Sequence, residues 1–369
     1  MSGPEVTVGV EARPDFAEVD ALHGFGTPEM WAHEYEADRR GAPVFVVARD
    51  GDGRLVGTQA FIHYDLVQGG KVAPSGRSER SLVAPALRGK RLFERMVTAG
   101  VAAGAARGMA LAWGSTAARR AFENAGFTFV SGHRLYLVGA TGLFAALRLA
   151  PRLVAGISVK QLRARSRDDG VALLSLLLLL PSALLGLLLA PWRWLMAAAS
   201  GLTVSEAAFD AGVNALSAEL LDAAGDVRLQ HDAALWDWSL TQGELSIRLF
   251  AHDAGGRLRG YVVAQLDAPG PGLLTVADFL FADAASARVL MSALRARAAA
   301  HGQGMLVMAL NRRHRLQAGY VAPLVTCGLL PAYAGGAFVM RAMAPGATPP
   351  GIAAWYLTDL WFLLWRKRP

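Results

Sequence analysis

Leu82-Val83-Ala84-Pro85-Ala86-Leu87-Arg88-Gly89-Lys90-Arg91-Leu92-Phe93 is the stretch on which the fold turns. An apolar strand end meets a proline, a short loop carries three basic side chains around one glycine, and a helix pattern begins at Leu92. The first N–H groups of a helix have no partners inside it, and the helix dipole makes that end positive. With Arg88, Lys90 and Arg91 beside it, this end suits a pyrophosphate. The same residues also suit an ordinary strand–helix turn with solvated charges.

Outward from the loop, helix and strand signals alternate. Thr27-Pro28 opens a helix to about Arg40, a cap residue followed by proline at the first helical position. Pro43–Arg49 and Leu55–Tyr64 are strands joined by the turn Asp50-Gly51-Asp52-Gly53, and a third strand covers about Ser78–Ala84. Beyond the loop come a helix to about Arg107, a strand Met109–Trp113, a helix Thr116–Ala125 and a strand Phe127–Val138. This order indicates an α/β (α+β) sandwich on a mixed, partly antiparallel sheet.

The second half repeats the pattern. Thr203-Val204-Ser205-Glu206 reads as a capping box opening a helix. Glu244–His252 and Leu258–Leu266 bracket a Gly255-Gly256 turn. Leu273–Phe281 is a strand, Ala284–Ala300 a helix and Met305–Leu310 a strand. Arg312–Cys327 is helix or loop, and Ala337–Ala342 a last strand. Four parts follow: residues 1–140, a basic and apolar linker at 141–202, a second and degenerate copy at 203–345, and an aromatic, basic tail at 346–369. Two copies of one topology with little residue identity suggest a duplication.

The chain has 369 residues, 53% of them hydrophobic and 18% charged, with a mean hydropathy of +0.30. Such a balance excludes a disordered chain. A polytopic membrane protein needs several apolar runs of about 20 residues, and only Val171–Trp192 is of that kind. The net charge is +7, almost all of the basic residues being arginine. No basic tract interleaved with aromatics reads as a nucleic-acid groove, so no nucleic-acid partner is expected. The single cysteine, Cys327, excludes a disulfide framework and fits a reducing, cytoplasmic compartment. Met1–Pro14 lacks the charged start and apolar run of a secretory signal. The eight histidines show no metal-ligand spacing, and no metal is expected.

Residues 43–138 resemble the GNAT N-acetyltransferase superfamily. Arg88–Phe93 is similar to its pyrophosphate loop, Leu55-Val56-Gly57 to its second-strand motif, and Arg119–Phe127 (RRAFENAGF) to its helix–strand junction. The second half resembles tandem-GNAT proteins of bacterial exopolysaccharide clusters, through Leu235–Trp238, Arg257–Tyr261 and Trp355–Asp359. The resemblance implies tandem GNAT-like domains and acyl transfer from acetyl-CoA or another acyl-CoA to the amino group of a sugar, a lipid-linked intermediate or another small acceptor. Leu82, Val83 and Ala84 would pair with the pantetheine, and Arg88, Gly89, Lys90, Arg91, Leu92 and Phe93 would hold the pyrophosphate. Arg91 stands where the family has a glycine. Phe122 stands where many members carry the tyrosine that protonates the departing thiolate. Ala282-Asp283-Ala284-Ala285 has no basic loop, so the second half is expected to bind no acyl-CoA. A Fem-type aminoacyltransferase using aminoacyl-tRNA and a non-catalytic binding protein are the alternatives.

Acyl transfer to an amine needs a proton acceptor. Glu79 on the third strand is the candidate base, followed by His63 and Tyr64. Glu79 equally suits a surface ion pair with Arg77 or Arg80, and His63 a packed, satisfied histidine. Val171–Trp192 is long enough to span a hydrocarbon core, but Pro181 interrupts it. A helical hairpin turning at Pro181-Ser182 would dip into one leaflet. Arg148–Arg167 and Arg366–Arg368 would then face the anionic inner surface, with Trp192, Trp194, Trp361 and Trp365 at the interface. A buried helix pair between the two halves is the other reading.

Overall fold

The computed structural model describes residues 5–24, 27–36, 41–116, 118–143, 147, 167–240, 246–266, 272–344 and 348–358. The first half runs β1 (Thr7–Glu11), α1 (Phe16–His23), α2 (Pro28–Glu36), β2 (Val44–Arg49), β3 (Leu55–Gln68), β4 (Lys71–Val83), α3 (Leu92–Ala106), β5 (Leu111–Gly114), α4 (Arg119–Asn124) and β6 (Thr128–Ala140). Two helices follow, α5 (Arg167–Leu188) and α6 (Ala190–Ala199). The second half runs β7 (Thr203–Glu206), α7 (Gly212–Leu221), β8 (Val227–Leu229), α8 (Ala233–Leu240), β9 (Ser246–His252), β10 (Leu258–Leu266), β11 (Leu273–Phe281), α9 (Ala284–Ala300), β12 (Met305–Asn311), α10 (Arg315–Gly319), α11 (Val321–Thr326) and β13 (Leu330–Ala342).

The repeat is visible atom by atom. Asp50 Oδ1 accepts from the N–H groups of Asp52 and Arg54, closing the β2–β3 turn. Asp253 Oδ1 accepts from Gly255 and Arg257 in the β9–β10 turn. Gly53 and Gly256 take the matching positive φ, 81° and 77°. One strand later, Gly57 and Gly260 lie directly under the packed helix. A Cβ there would come within 3.0 Å of Met96 on α3 or of Leu290 on α9. Glycine at both places leaves room for the helix side chains that pack onto the strand.

The strands form one sheet in the order β1-β2-β3-β4-β5-β13-β6-β12-β11-β10-β9-β7, with β8 pairing β3. Each half lends its last strand to the other. β13 inserts antiparallel between β5 and β6, and β6 pairs antiparallel with β12. Two parallel contacts open beyond a few residues. β4 pairs β5 from Ser75 to Arg77, and β11 pairs β12 from Leu273 to Val276. Past these points the strands diverge and leave β4 and β11 with an open edge.

Several expectations need correction. Thr203–Glu206 is a strand at the outer sheet edge, paired with β9, and the helix begins only at Gly212. The local cap signal yields to the unpaired N–H and C=O groups of β9, a tertiary effect. The third strand starts at Lys71 because the β3–β4 hairpin turns at Gly69-Gly70, both at positive φ. The helix does not turn back at Pro181-Ser182: α5 continues through Pro181, whose ring faces outward. Ser182 anchors it by accepting from the Ala140 N–H and donating to the Gly328 carbonyl. The break comes at Leu189, ahead of Pro191 in the first turn of α6, with a bend of 54°. Among the described residues no single helix is long and apolar enough to cross a membrane. The aromatic C-terminal stretch is core as far as it is described: Trp355, Tyr356 and Leu357 are buried. Arg148–Arg165, Trp361, Trp365 and Arg366–Arg368 lie outside the described residues.

Candidate functional site

The β4–α3 loop has eight residues, 84–91, whereas its counterpart between β11 and α9 has two, 282–283. Pro85–Leu87 makes a single 3₁₀ turn anchored by the buried Leu87. Arg88, Gly89, Lys90 and Arg91 are exposed. Gly89 has φ 79° and Arg91 φ 57°. A non-glycine residue in the left-handed region costs about 1–2 kcal/mol, so the glycine position of the resembling motif keeps its backbone shape here with an arginine. Arg91 is the N-cap of α3 and gives the helix no side-chain hydrogen bond. The first helical bond runs from the Arg95 N–H to the Arg91 carbonyl, 3.2 Å. The N–H groups of Leu92, Phe93 and Glu94 therefore have no carbonyl partner within α3. The Leu92 side chain is buried and the Phe93 ring packs on Phe122 at 5.0 Å. Only the backbone of these two residues is presented at the helix end. Leu82, Val83 and Ala84 are half-buried on the open edge of β4, and Arg88 Nε donates to the Val83 carbonyl at 3.2 Å.

On β4 the side chains alternate. Glu79 stands opposite Ala60, Arg77 opposite Ile62 and Ser75 opposite Tyr64. Ala60, Ile62 and Tyr64 belong to the large core with Trp31, Tyr35 and Trp113, whereas Phe61 packs with the α3 core. Glu79 and Arg77 thus face away from α3. His63 falls on the other face, its Nε2 3.0 Å from Asp65. Tyr64 stays with Arg77, whose Nη1 donates to its hydroxyl at 3.2 Å.

Glu79 is not in a surface ion pair. It is 4% exposed and contacts the fully buried Arg77. Burial works against the Arg77 charge, but Glu79 and Tyr64 more than offset it, and the guanidinium holds its proton above the usual range. The next residue, Arg80, lies at φ 50° on a bulge in β4. Its guanidinium stacks over Trp31 at 5.0 Å and pairs with Glu34 of α2 through Nε at 3.0 Å and through Nη2. Glu34 is 2% exposed, and burial lifts its carboxyl above the ordinary range despite Arg80. Sequence reasoning missed Glu34. Its only signal, an acidic residue in a mixed helix, carries no mark of the strand it will meet. The outcome is two buried carboxylates, one buried guanidinium and one half-buried guanidinium beside the divergence of β4 and β5. Trp113, with its indole N–H on Ser75 at 2.9 Å, closes the floor.

The second half builds a different entrance. Asp283 caps α9, accepting from the Ser286 N–H at 2.8 Å while Ser286 Oγ accepts from the Asp283 N–H at 3.2 Å. Arg259 pairs with the same carboxylate at 2.9 Å. Asp278, just past the last parallel pair of β11, is buried against His231 at 2.8 Å.

Among the described residues no cluster of histidine, cysteine, aspartate and glutamate could hold a metal. No protein-family model matches the sequence, and no curated protein matches it. Solved structures do. A conserved protein of unknown function from Enterococcus faecalis, a probable N-acyltransferase, superposes with a TM-score of 0.59 at 10% identity, over 92% of this chain and 73% of that one. A GCN5-related N-acetyltransferase from Kribbella flavida gives 0.57 at 16% identity, over 92% and 71%. A tandem GNAT protein from the clavulanic acid biosynthesis pathway gives 0.52 at 12% identity, over 93% and 100%. The fold is therefore a tandem GNAT-type mixed α/β fold.

Proposed function

We propose that this protein is an acyl-CoA-dependent N-acyltransferase. The observation that carries the reading is the unsealed N-terminus of α3, ringed by Arg88, Gly89, Lys90 and Arg91 and set beside the open edge of β4. Unpaired N–H groups, the helix dipole and three cations suit a pyrophosphate. In this reading Leu82–Ala84 pair with the pantetheine, which brings the thioester toward Glu79.

The acceptor amine enters from the face covered by α1 and α2, where Glu79 and Glu34 lie. Glu79 takes a proton from the ammonium. The amine nitrogen then attacks the thioester carbonyl carbon, a C–N bond forms, the C–S bond breaks and the thiolate leaves. Phe122 is apolar and buried, so the thiolate takes its proton from solvent or the released acceptor proton. The acceptor proposed is an amino group of a sugar, lipid-linked or other small molecule. Support for an envelope-polysaccharide acceptor comes from the sequence resemblance alone. The second half, its helix entrance closed by its own carboxylate, serves the sheet and the acceptor wall.

Calorimetric titration with acetyl-CoA and longer acyl-CoAs tests the reading. Binding by at least one, competed by CoA, is expected. The absence of any heat with all of them at about millimolar concentration, far above the ordinary range of KM, sinks it.

A further inference from the structure

A cavity of about 330 Å³ lies away from the β4–α3 loop, where α5 and α6 cross α9. That volume is at the lower end of ligand pockets. Its wall includes Arg193, Arg295, Gly186, Trp194 and Ser292. Among the described residues neither arginine has a carboxylate partner. Arg295, 7% exposed, donates to the carbonyls of Cys327 and Ala140. Arg193 donates through Nη2 to the Gly186 carbonyl at 2.7 Å, while its buried Nη1 has no partner. Burial first, and then Arg193, lower Arg295 to about 10. Buried charge without a counter-charge is costly, and the buried Arg295 with the half-buried Arg193 beside it at one cavity calls for an anion. A third arginine, Arg288, also without an acidic partner among the described residues, stacks on Trp192 at 5.3 Å.

The surface around the cavity is apolar. Leu179, Ser182 and Ala183 bury one face of α5 at the seam between the halves. The other face presents Leu177, Leu180, Leu184, Leu187 and Leu188, with Leu188 76% exposed. α6 adds Leu195 and Trp194, the latter 74% exposed. Exposed leucines and tryptophans beside inset arginines that lack a carboxylate partner among the described residues match the layering of a bilayer surface, acyl chains below and phosphates above. A soluble partner offers no reason for that layering.

We infer that the α5–α6 elbow is a membrane-docking surface and that Arg193 and Arg295 receive the phosphate of an anionic phospholipid in the cavity behind it. Leu187, Leu188 and Trp194 enter the leaflet, and the bend carries the chain back out, so that the elbow docks without crossing. Docking here is independent of the acyl-CoA site and stands whether or not that reading does.

Vesicle flotation of the full chain tests it, using phosphatidylcholine alone or in equal parts with phosphatidylglycerol. At least tenfold more protein should float with the anionic vesicles. Leu188→Asp with Trp194→Ser, both at exposed positions, should abolish flotation with the thermal melt unchanged. Arg193→Gln should lower the preference for phosphatidylglycerol at least fivefold. Three results overturn the inference: equal binding to both vesicles, full anionic preference in Arg193→Gln, or no flotation. Two further readings would then name the true occupant. A melt raised by glycerol phosphate without flotation indicates a soluble anion, and a concentration-dependent dimer without flotation indicates a second copy of the chain.

Discussion

The two strand–helix junctions of this molecule start from one plan and end as opposites. In both halves a glycine lets the helix cross the sheet closely, and the residue after the strand returns a hydrogen bond to the neighbouring strand: Ala84 to Val56 and Ala282 to Arg259, each at 2.9 Å. After that, α9 is sealed by Asp283, which supplies the anion its N-terminus favours. α3 is left open behind a loop with three exposed cations. A helix N-terminus satisfied by its own chain has nothing to offer a ligand. The difference between the two junctions thus lies in a few residues ahead of the helix and not in the sheet.

The comparison can be broken at the proposed chemistry first. Glu79→Gln should lower kcat about 1,000-fold, about 4 kcal/mol, with the acyl-CoA Kd unchanged. Because it strands buried Arg77, it should also lower the melting temperature. Asp278→Asn, the comparable position in the second half, should change stability and leave the turnover alone. Equal kinetic effects from both would erase the assigned difference. Next, Arg91→Asp installs the second half's device on the first. A carboxylate on the open N–H groups should weaken acyl-CoA about 100-fold by calorimetry, about 2.8 kcal/mol. An unchanged Kd would mean that α3 does not hold the donor.

The exchanged strands join what the junctions separate, and pH probes that seam. His133 on β6 is fully buried against Phe338 of β13, and among the described residues neither ring nitrogen has a hydrogen-bond partner. Burial first, then Arg134 and Arg313, lower it to about 3. Its folded value is below its unfolded one, so its contribution is complete above about pH 6.5 and is lost as pH falls toward 3. About 2 kcal/mol should go between pH 6.5 and pH 5. His133→Leu should flatten that part of the melting-temperature profile; an equally steep profile would place the sensitivity elsewhere. The smallest effect is expected at the sealed helix. Asp283→Ala should cost about 1 kcal/mol in denaturant unfolding and confer no acyl-CoA binding on the second half.

Much of this fold was legible because its signals are local. The Asp50–Gly53 turn, the Gly255-Gly256 turn between β9 and β10, and the strand end before the basic loop depend on neighbours a few residues away. β11 and α9 fall on the residues the pattern indicates. Thr203–Glu206 was misread because a cap signal is also short, and an unsatisfied strand edge outweighed it. Pro181 was misread because the loss of one N–H bond is outweighed where neighbouring residues pin the helix on both sides of it. Here Ser182 and Ala183 hold the seam and Pro181 faces out.

By itself the sequence determined the α/β class, the duplicated turn chemistry and the basic loop before Leu92, since each rests on backbone preference or charge within a short span. Only the tertiary structure decided that β13 enters between β5 and β6, because strand edges choose partners by what else is covered. It alone brought Glu34 to Arg80 and buried Glu79 with Arg77, across separations no local pattern records. It also brought Arg193 of α6 and Arg295 of α9 to one cavity, across a separation no local pattern records.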